Sequence, residues 1–162
     1  MFEEGGAMKV RDIMSGTIHA CSPDTNLAEA AMMMWDGDCG VIPVVKEGNQ
    51  AAGMITDRDI CIAVATRNRR AEEIRVGDVI GPQLFSCSPD DDVRIALRLL
   101  GERKVRRLPV VNEKRELVGI LSFNDIILEA KEAKGRKGAP SYEEILNALK
   151  AVCGHRFTAV AA

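Results

Sequence analysis

The sequence predicts an α/β fold of the α+β type: two β-α-β-β-α repeats packed with pseudo-two-fold symmetry, followed by a C-terminal helical extension. Two observations predict it. The chain aligns with itself without a gap when shifted by 66 residues, and each copy alternates helically spaced apolar residues with short β-branched runs. One copy of about 60 residues buries too little surface to be robust alone. We therefore expect the copies to pack sheet against sheet, with the helices outside.

The matching blocks keep one register along the chain. Val10-x-Asp12 matches Val76-x-Asp78, Cys21-Ser22-Pro23-Asp24 matches Cys87-Ser88-Pro89-Asp90, and Pro43-Val44-Val45 matches Pro109-Val110-Val111. We predict a tail at 1–7, repeats at 8–66 and 74–132 joined by a charged linker at 67–73, and a flexible break followed by a helix within 133–162.

Each copy is expected to begin with a short strand, at residues 17–21 and 84–87. A Ser-Pro-Asp turn then starts a helix, because proline fixes φ and aspartate can cap. Apolar residues follow at i, i+3, i+4 and i+7, the spacing of an amphipathic helix with one buried face. They are Leu27, Ala30, Ala31 and Met34 in the first copy, and Val93, Ala96, Leu97 and Leu100 in the second.

The second half of each copy is a predicted hairpin and helix. Residues 41–45 and 51–55, like residues 108–111 and 117–121, are mostly apolar, with β-branched residues among them, and polar turns at 46–49 and 112–115 separate them. Asp59 and Asp125 are expected to open the second helices.

The C-terminal extension has helix signals of its own. Residues 141–144 (Ser-Tyr-Glu-Glu) have the pattern of a capping box, and Gly154 is a helix-end signal. Between them lies an apolar stripe that must be buried on the chain's own repeats, on a second subunit or on a partner. The stripe consists of Ile145, Leu146, Leu149 and Val152.

Composition argues against several classes of function. The net charge of −2 and the aromatic content of 4% provide neither a basic field nor a stacking platform for nucleic acid. The apolar runs are too short to span a bilayer and the N-terminus lacks an apolar signal core, so we expect a cytoplasmic protein without membrane attachment. The five cysteines form no CxxC pair, and His19 and His155 lack neighbours at ligand spacing, so we expect neither disulfides nor a metal site.

Two matched segments carry the main functional interest: residues 53–59, the first corner, and residues 119–125, the second corner. Each has a glycine, then a hydroxyl residue (Thr56 or Ser122), and three positions later an aspartate (Asp59 or Asp125). One interpretation is a helix cap, since Ser/Thr-x-x-Asp is a helix-start pattern. The other is a nucleotide site, because unpaired N–H groups at a helix N-terminus attract phosphate and a carboxylate can accept from ribose hydroxyls. The spacing alone leaves both open.

Over about residues 8–132 the chain resembles a tandem pair of cystathionine-β-synthase (CBS) domains, the Bateman module. The resemblance is carried by Val10-Arg11-Asp12-Ile13-Met14, Ser22-Pro23-Asp24, Pro43-Val44-Val45 and Gly53-x-x-Thr56-x-x-Asp59-Ile60, and by the same set in the second copy. It implies a regulatory module that binds adenosyl ligands (AMP, ADP, ATP or S-adenosylmethionine) in two clefts between the repeats. It also implies a homodimer formed through helix faces.

The resemblance further implies which residues hold the ligand. The aspartate of each corner holds the ribose hydroxyls, and the hydroxyl residue and the residue before the aspartate approach ribose or phosphate. The corner residues are Thr56, Arg58 and Asp59 with the apolar Met54, and Ser122, Asn124 and Asp125 with the apolar Ile120. The other repeat completes each cleft.

The two clefts are expected to differ in charge. By the resemblance, Ser88, Val105, Arg106 and Arg107 line the Asp59 cleft, and Ser22, Cys39, Gly40 and Val41 line the Asp125 cleft. Guanidinium groups suit phosphate by charge and by geometry, whereas Asp36 and Asp38 near the Asp125 cleft repel a polyphosphate. We therefore predict that the Asp59 cleft prefers a di- or triphosphate, and that the Asp125 cleft binds more weakly or takes a less charged ligand. The alternative for the arginine pair is a solvated strand face.

The predicted function is regulatory and not enzymatic, because the sequence has no activated nucleophile pair, no P-loop and no metal cluster. No cofactor is required; the adenine nucleotide is a regulatory ligand that favours one orientation of the repeats, which an unknown effector protein reads. The alternative is a ligand-free interaction or structural module that docks through dimer faces and the C-terminal helix. The sequence leaves the ligand's identity and the effector open.

Overall fold

The structure, a computed structural model, describes residues 7–132 and 138–154. It confirms the predicted α+β class, with two copies of a helix, a two-stranded sheet and a second helix, followed by a C-terminal helix. The helices are α1 (Leu27–Asp36), α2 (Asp57–Arg67), α3 (Val93–Arg103), α4 (Phe123–Glu132) and α5 (Tyr142–Cys153), and the strands are β1 (Val41–Lys46), β2 (Gln50–Thr56), β3 (Arg107–Val111) and β4 (Leu117–Ser122). No described helix is long and apolar enough to cross a membrane.

The predicted strands at 17–21 and 84–87 are wrong, because each is reduced to one bridging residue. Cys21 bridges Val44 in parallel, and Cys87 bridges Val110 in the same way. A parallel ladder uses alternate N–H groups of each strand. The preceding ladder bond would need an N–H from Pro43, which proline lacks. The second copy has Pro109 at the same place, so its ladder stops equally early.

Helix starts are set by side-chain caps. The cap of α1 is Asn26, whose side chain accepts from the Glu29 N–H at 2.9 Å, and not the Ser-Pro-Asp aspartate. In the second copy Asp92 takes this role and accepts from the Arg94 N–H at 2.8 Å. The predicted caps were therefore placed two residues too early, since the turn continues past the proline before the helix begins.

The buried faces of the first helices are predicted correctly with one exception. Leu27, Ala30 and Met34 of α1 are buried, as are all four expected residues of α3. Ala31 is exposed, whereas its counterpart Leu97 is buried. Helix α3 differs from α1 in that α5 packs on it.

Contacts divide the chain into two compact units. Among the described residues, unit A contains 7–14, 89–108, 121–132 and 138–154, and unit B contains 15–88 and 109–120. Each unit thus includes sequence from both copies. The predicted repeat limits, 8–66 and 74–132, stay a prediction.

The leading segment of each copy is bonded to the first helix of the other copy. In unit B the Leu27 N–H donates to the Ile74 carbonyl at 2.9 Å, and in unit A the Val93 N–H donates to the Met8 carbonyl at 2.9 Å. These bonds join positions that match under the 66-residue shift. The exchange is therefore reciprocal, as expected for a pseudo-symmetric pair.

In unit B, β1 and β2 form an antiparallel hairpin. Val41 lies opposite Thr56 and Lys46 lies opposite Gln50, with a bulge between Val44 and Val45. This register brings the residue before β1, Gly40, to the start of α2. The strands β3 and β4 form the second two-stranded sheet.

In unit A, α5 covers α3. Gly101 of α3 is buried, and a Cβ added there would lie 3.4 Å from the Ala151 Cβ. Arg94 donates to the Glu144 carboxylate at 3.1 Å and to the carbonyls of Gly138 and Ala139 at 3.0 Å each. One face of the C-terminal helix thus packs on the chain's own second copy.

The predicted capping box of α5 is confirmed. Ser141 Oγ accepts from the Glu144 N–H at 3.2 Å, and the Glu144 carboxylate accepts from the Ser141 N–H at 2.7 Å. This bond from the Ser141 backbone lowers the pKa of Glu144. In the predicted stripe Ile145 is buried within the chain, whereas Leu146 is 50% exposed, so the chain itself covers only part of the stripe. A helix neighbour i+1 points about 100° away, so one face cannot bury both.

Gly101→Trp is expected to detach α5, because the indole would occupy the space of Ala148 and Ala151. Overpacking a fitted contact costs about 1–3 kcal/mol, and the measurable result is a lower free energy of unfolding with loss of α5 helicity by circular dichroism. Gly101→Ala is the matched control: its methyl makes ordinary contact and removes a helical glycine, so stability should stay or rise by roughly 0.5–1 kcal/mol. Equal stability of the two variants would contradict the observed packing.

Candidate functional site

The first corner is a helix cap closed by three hydrogen bonds. Thr56 ends β2 and is the N-cap of α2. Its Oγ1 accepts from the Asp59 N–H at 3.1 Å and donates to Asp59 Oδ2 at 2.6 Å, and Asp59 Oδ2 also accepts from the Thr56 N–H at 3.0 Å. The capping interpretation of the sequence is therefore confirmed here.

The second corner repeats this geometry in unit A. Asp125 Oδ2 accepts from the Ser122 N–H at 2.7 Å and from Ser122 Oγ at 2.6 Å, while the Asp125 N–H donates to Ser122 Oγ at 3.2 Å. Both corners thus have a reciprocal Ser/Thr–Asp pair at the end of a strand. The cap occupies one oxygen of each aspartate.

The second helices begin two residues earlier than predicted. Asp57 and Phe123 are their first residues, which places Asp59 and Asp125 in the third helical position. The signal was present in the sequence, since a capping box puts the hydroxyl at the N-cap and the acid three residues later. The prediction placed the helix start at the acid of the capping box, and therefore missed Asp57 as the first residue of α2.

Most of the N–H groups expected to attract phosphate at the first corner are already bonded. The Asp57 N–H donates to the Gly40 carbonyl at 3.0 Å, the Arg58 N–H donates to Asp57 Oδ1 at 2.7 Å, and the Asp59 N–H is capped by Thr56. The expectation of unpaired N–H groups is therefore wrong for this helix. The sequence could not reveal the bond from the Asp57 N–H, because the hairpin register brings Gly40 to this position.

The second corner differs from the first at one backbone N–H group, that of Asn124. The Phe123 N–H donates to the Arg106 carbonyl at 3.0 Å and the Asp125 N–H is capped, but no described residue accepts from the Asn124 N–H. An N–H and the helix dipole thus remain at this corner for an anion. Phe123 itself is buried, whereas Asn124 is exposed.

At each corner the aspartate oxygen that the cap does not use, Oδ1, is available to a ligand. Among the described residues none donates to Asp59 Oδ1 or Asp125 Oδ1, and both side chains are half-buried. A carboxylate oxygen with open lone pairs accepts hydroxyl hydrogen bonds strongly. Arg58 lies one position earlier and is exposed.

In unit B the structure brings Gly40 and Val41 to the first corner. Val41 pairs with Thr56, and a Cβ on Gly40 would lie 2.9 Å from Asp57 Oδ2. Glycine at position 40 therefore permits a close approach. Met54 is half-buried in β2, opposite Pro43.

In unit A the structure brings Arg106 to the second corner through its carbonyl. Arg106 is exposed and Arg107, the first residue of β3, is half-buried. Lys104, which the sequence analysis expects near the Asp59 cleft, donates from Nζ to the Gly154 carbonyl at the end of α5, 3.1 Å away. Val105 N–H donates to the Leu100 carbonyl at 3.1 Å.

The remaining predicted lining residues lie in turns or on strands. Ser22 Oγ accepts from the Asp24 N–H at 3.2 Å and lies 3.3 Å from Thr25 Oγ1, so it closes a local turn. Ser88 and Ile120 are half-buried, and so is Cys39. The assignment of these residues to the cleft of the other copy stays a prediction.

The Cys21 thiol is buried and is a poor nucleophile. Burial raises the pKa of the Cys21 thiol to about 11, so it stays protonated at neutral pH. His19 and Cys39 both lie near Gly37, yet in residues 7–132 and 138–154 no three His, Cys, Asp or Glu side chains gather as a metal site would require.

Comparison with known proteins finds relatives that match most of the chain. The chain is 34% identical to the CBS domain-containing protein YhcV of Bacillus subtilis over 72% of this chain and 81% of that protein. Lengths vary among relatives, since an uncharacterized Methanopyrus kandleri protein, 29% identical, is covered over 60% of its length.

Two solved structures are similar in fold. CBSX2 in complex with AMP is 26% identical, with a TM-score of 0.70, over 80% of this chain and 99% of that one. Hypoxic Response Protein I, which has two coordinated zinc ions in its crystal structure, is 28% identical with a TM-score of 0.70, over 75% of this chain and 98% of that one. The family model of the CBS domain matches residues 10–66 and 76–132. The chain therefore belongs to the CBS-domain family and contains two CBS domains in tandem.

Proposed function

We propose that this protein is a cytoplasmic regulatory module that binds an adenine nucleotide at each of its two corners. The observation that carries the proposal is the pair of half-buried aspartates, each with one oxygen in the cap and the other open. The AMP complex of CBSX2, a protein of similar fold, supports an adenosyl ligand. No catalysis and no resident cofactor are part of the proposal.

In the proposed complex the 2′- and 3′-hydroxyls of ribose donate to Asp59 Oδ1 or Asp125 Oδ1. The caps hold both aspartates in a fixed rotamer before the ligand arrives, so little side-chain entropy is lost on binding. Thr56 and Ser122 orient the carboxylates, and Arg58 or Asn124, one residue earlier, approaches the phosphate. The apolar Met54 and Ile120 face the base.

The two ligands are proposed to differ. Arg106 and Arg107, with Ser88 and Val105, serve the nucleotide of Asp59, which is then a di- or triphosphate. The nucleotide of Asp125 is accompanied by Ser22, Cys39, Gly40 and Val41, and is bound more weakly or is less charged, as S-adenosylmethionine is.

A ligand at one hundred times its Kd is expected to raise the free energy of unfolding by roughly 2.7 kcal/mol, because only the folded state binds. The measurement is a thermal melt with AMP, ADP, ATP and S-adenosylmethionine added separately. GTP is the matched control, since it has the same phosphates and ribose but a different base. If none of the four adenosyl ligands raises the melting temperature, the proposal fails.

Signalling is proposed to follow from a shift in the population of repeat orientations, which an effector protein reads. We also propose a homodimer. The observation that supports it is a pair of matched exposed apolar side chains on the second helices, Ile62 (48%) on α2 and Leu128 (61%) on α4. Sedimentation at several protein concentrations tests the dimer.

The alternative function is a ligand-free interaction module that docks through dimer faces and the C-terminal helix. One observation favours it: α5 keeps an outward apolar pair, Tyr142 (65% exposed) and Leu146 (50% exposed), beside the face that it buries. Binding of any adenosyl ligand in the melt excludes the ligand-free version.

A further inference from the structure

Helix α5 runs parallel to α3 and is attached to it by one cation at each end. Near the start of both helices, Arg94 donates to the Glu144 carboxylate at 3.1 Å. Directly after the end of both helices, Lys104 Nζ donates to the Gly154 carbonyl at 3.1 Å. The helices touch between these attachments, where Gly101 packs against α5. Both attachments are made within unit A.

The two ends of α5 are held differently. At the start, Arg94 binds a carboxylate and two carbonyls, and Ile145 in the first turn of α5 is buried. At the end, the Lys104 ammonium binds the neutral carbonyl of Gly154, and no residue in 151–154 is buried. Segments with few buried contacts open locally at a low cost in free energy. The last turn of α5 is therefore the part of this helix that separates from α3 most readily.

Lys104 also begins the segment that contains the candidate phosphate ligands. This segment, residues 104–107, includes Arg106 and Arg107, and we call it the cationic segment. Its first residue binds the end of α5, and the carbonyl of its third, Arg106, accepts from the Phe123 N–H at the second corner. The proposed nucleotide and the end of α5 therefore share four consecutive residues.

We propose that the nucleotide and α5 compete for Lys104, so that a bound di- or triphosphate releases the C-terminal end of α5. An ammonium group binds an anionic phosphate oxygen more strongly than a neutral carbonyl, because the charge of the acceptor strengthens the hydrogen bond. The flexible four-carbon stem of lysine lets the ammonium exchange one acceptor for the other. The inference rests on the proposed function, and it holds for whichever corner Arg106 and Arg107 serve.

Competition for Lys104 makes the end of α5 an element that depends on the nucleotide. Without nucleotide the last turn lies on α3; with a polyphosphate it separates, while Arg94 keeps the start of α5 in place. The released turn is then the part of the chain that an effector protein reads. Linkage makes the effect reciprocal, because any change that detaches α5 frees Lys104 and strengthens polyphosphate binding by the same factor.

Hydrogen exchange of the full-length protein tests the release of α5. Saturating ATP is expected to speed the exchange of the backbone amides of residues 151–153 by about three- to tenfold, which corresponds to the loss of one hydrogen bond. The amide of Ile145 is the internal control and should not exchange faster, because Arg94 stays bound. Saturating AMP is the ligand control and should change the exchange much less, since AMP lacks the outer phosphates proposed to reach the cationic segment.

Two substitutions of Lys104 separate the competition from a purely structural role. Lys104→Met keeps an apolar stem without the ammonium, so exchange at residues 151–153 should be fast without ligand and should not change with ATP. Lys104→Arg keeps the cation and its hydrogen bonds, and should retain the response to ATP. Circular dichroism melts confirm that each variant is folded.

The reciprocal effect is measured with the variants that detach α5 or leave it docked. Gly101→Trp should bind ATP about three- to tenfold more tightly than its control Gly101→Ala, because Lys104 no longer has to leave the Gly154 carbonyl. The affinity of the two variants for AMP should be nearly equal. Isothermal titration calorimetry measures both ligands.

Three results would overturn the inference. The first is ATP binding in calorimetry with unchanged or slower exchange at residues 151–153, in which case the proposed function stands and the release of α5 does not occur. The second is equal ATP affinity of Gly101→Trp and Gly101→Ala. The third is the absence of ATP and ADP binding: a melting temperature raised by AMP or S-adenosylmethionine then preserves the proposed function alone, and no response to any of the four overturns both.

Discussion

Asp59→Ala is expected to remove nucleotide binding at the first corner while the second corner still binds, and Asp125→Ala is expected to do the reverse. Each ribose donates two hydroxyl hydrogen bonds to one carboxylate, and a hydrogen bond to a charged group contributes about 1.5–3 kcal/mol. Losing both weakens the nucleotide by more than about a hundredfold. Isothermal titration calorimetry measures this directly, because the stoichiometry should fall from two nucleotides per chain to one.

The aspartates also cap helices, so a stability effect must be separated from a binding effect. Loss of an N-terminal cap costs about 0.5–2 kcal/mol. Asp59→Asn and Asp125→Asn are the matched controls: the amide keeps one oxygen for the cap but lacks the charge that strengthens the ribose bonds. These variants should melt close to the original chain and still bind poorly. Two nucleotides bound to a folded Asp59→Ala chain would exclude the carboxylate from the site.

Much of the fold follows from local pattern. The hairpins could be predicted because β-branched runs flank polar turns, and α3 because Val93, Ala96, Leu97 and Leu100 share one helical face. The short first strands could have been foreseen from Pro43 and Pro109, which lack the N–H that a longer ladder needs. The exchange of leading segments could not, because the bond from Leu27 to Ile74 joins distant sequence.

The candidate site, like the fold, has one part that follows from local sequence and another that depends on distant residues. The Thr56–Asp59 and Ser122–Asp125 pairs are local, and their geometry follows from four consecutive residues. The contact of Gly40 with Asp57 depends on the hairpin register and its bulge, which spacing alone does not determine. For this reason the bond from the Asp57 N–H to Gly40 was not predictable, whereas the bonds of the Arg58 and Asp59 N–H groups are local.

For Arg106 and Arg107, the assignment made from the sequence and the contact seen in the structure point to different corners. The sequence analysis assigns Arg106 and Arg107 to the nucleotide of Asp59, by the resemblance. The structure, however, bonds the Arg106 carbonyl to the Phe123 N–H at the second corner, in the same unit. A backbone contact fixes where the chain runs and not where an exposed guanidinium binds, so the two assignments need an experiment that isolates each corner.

Arg106→Ala with Arg107→Ala is therefore best introduced separately into the Asp125→Ala chain, which retains only the first corner, and into the Asp59→Ala chain, which retains only the second. In the Asp125→Ala background we expect ATP affinity to fall about 10- to 100-fold, because charge-assisted bonds to the outer phosphates are lost. Exposure of one of the two arginines to solvent limits the size of this loss. AMP affinity should fall much less, since AMP lacks those phosphates. Lysine at both positions is the control: it keeps the charge but not the bidentate fork, so it should restore ATP binding only in part. A loss confined to the Asp59→Ala background would assign the arginines to the corner that their backbone contacts, and would reverse the proposed preference of the two sites for polyphosphate.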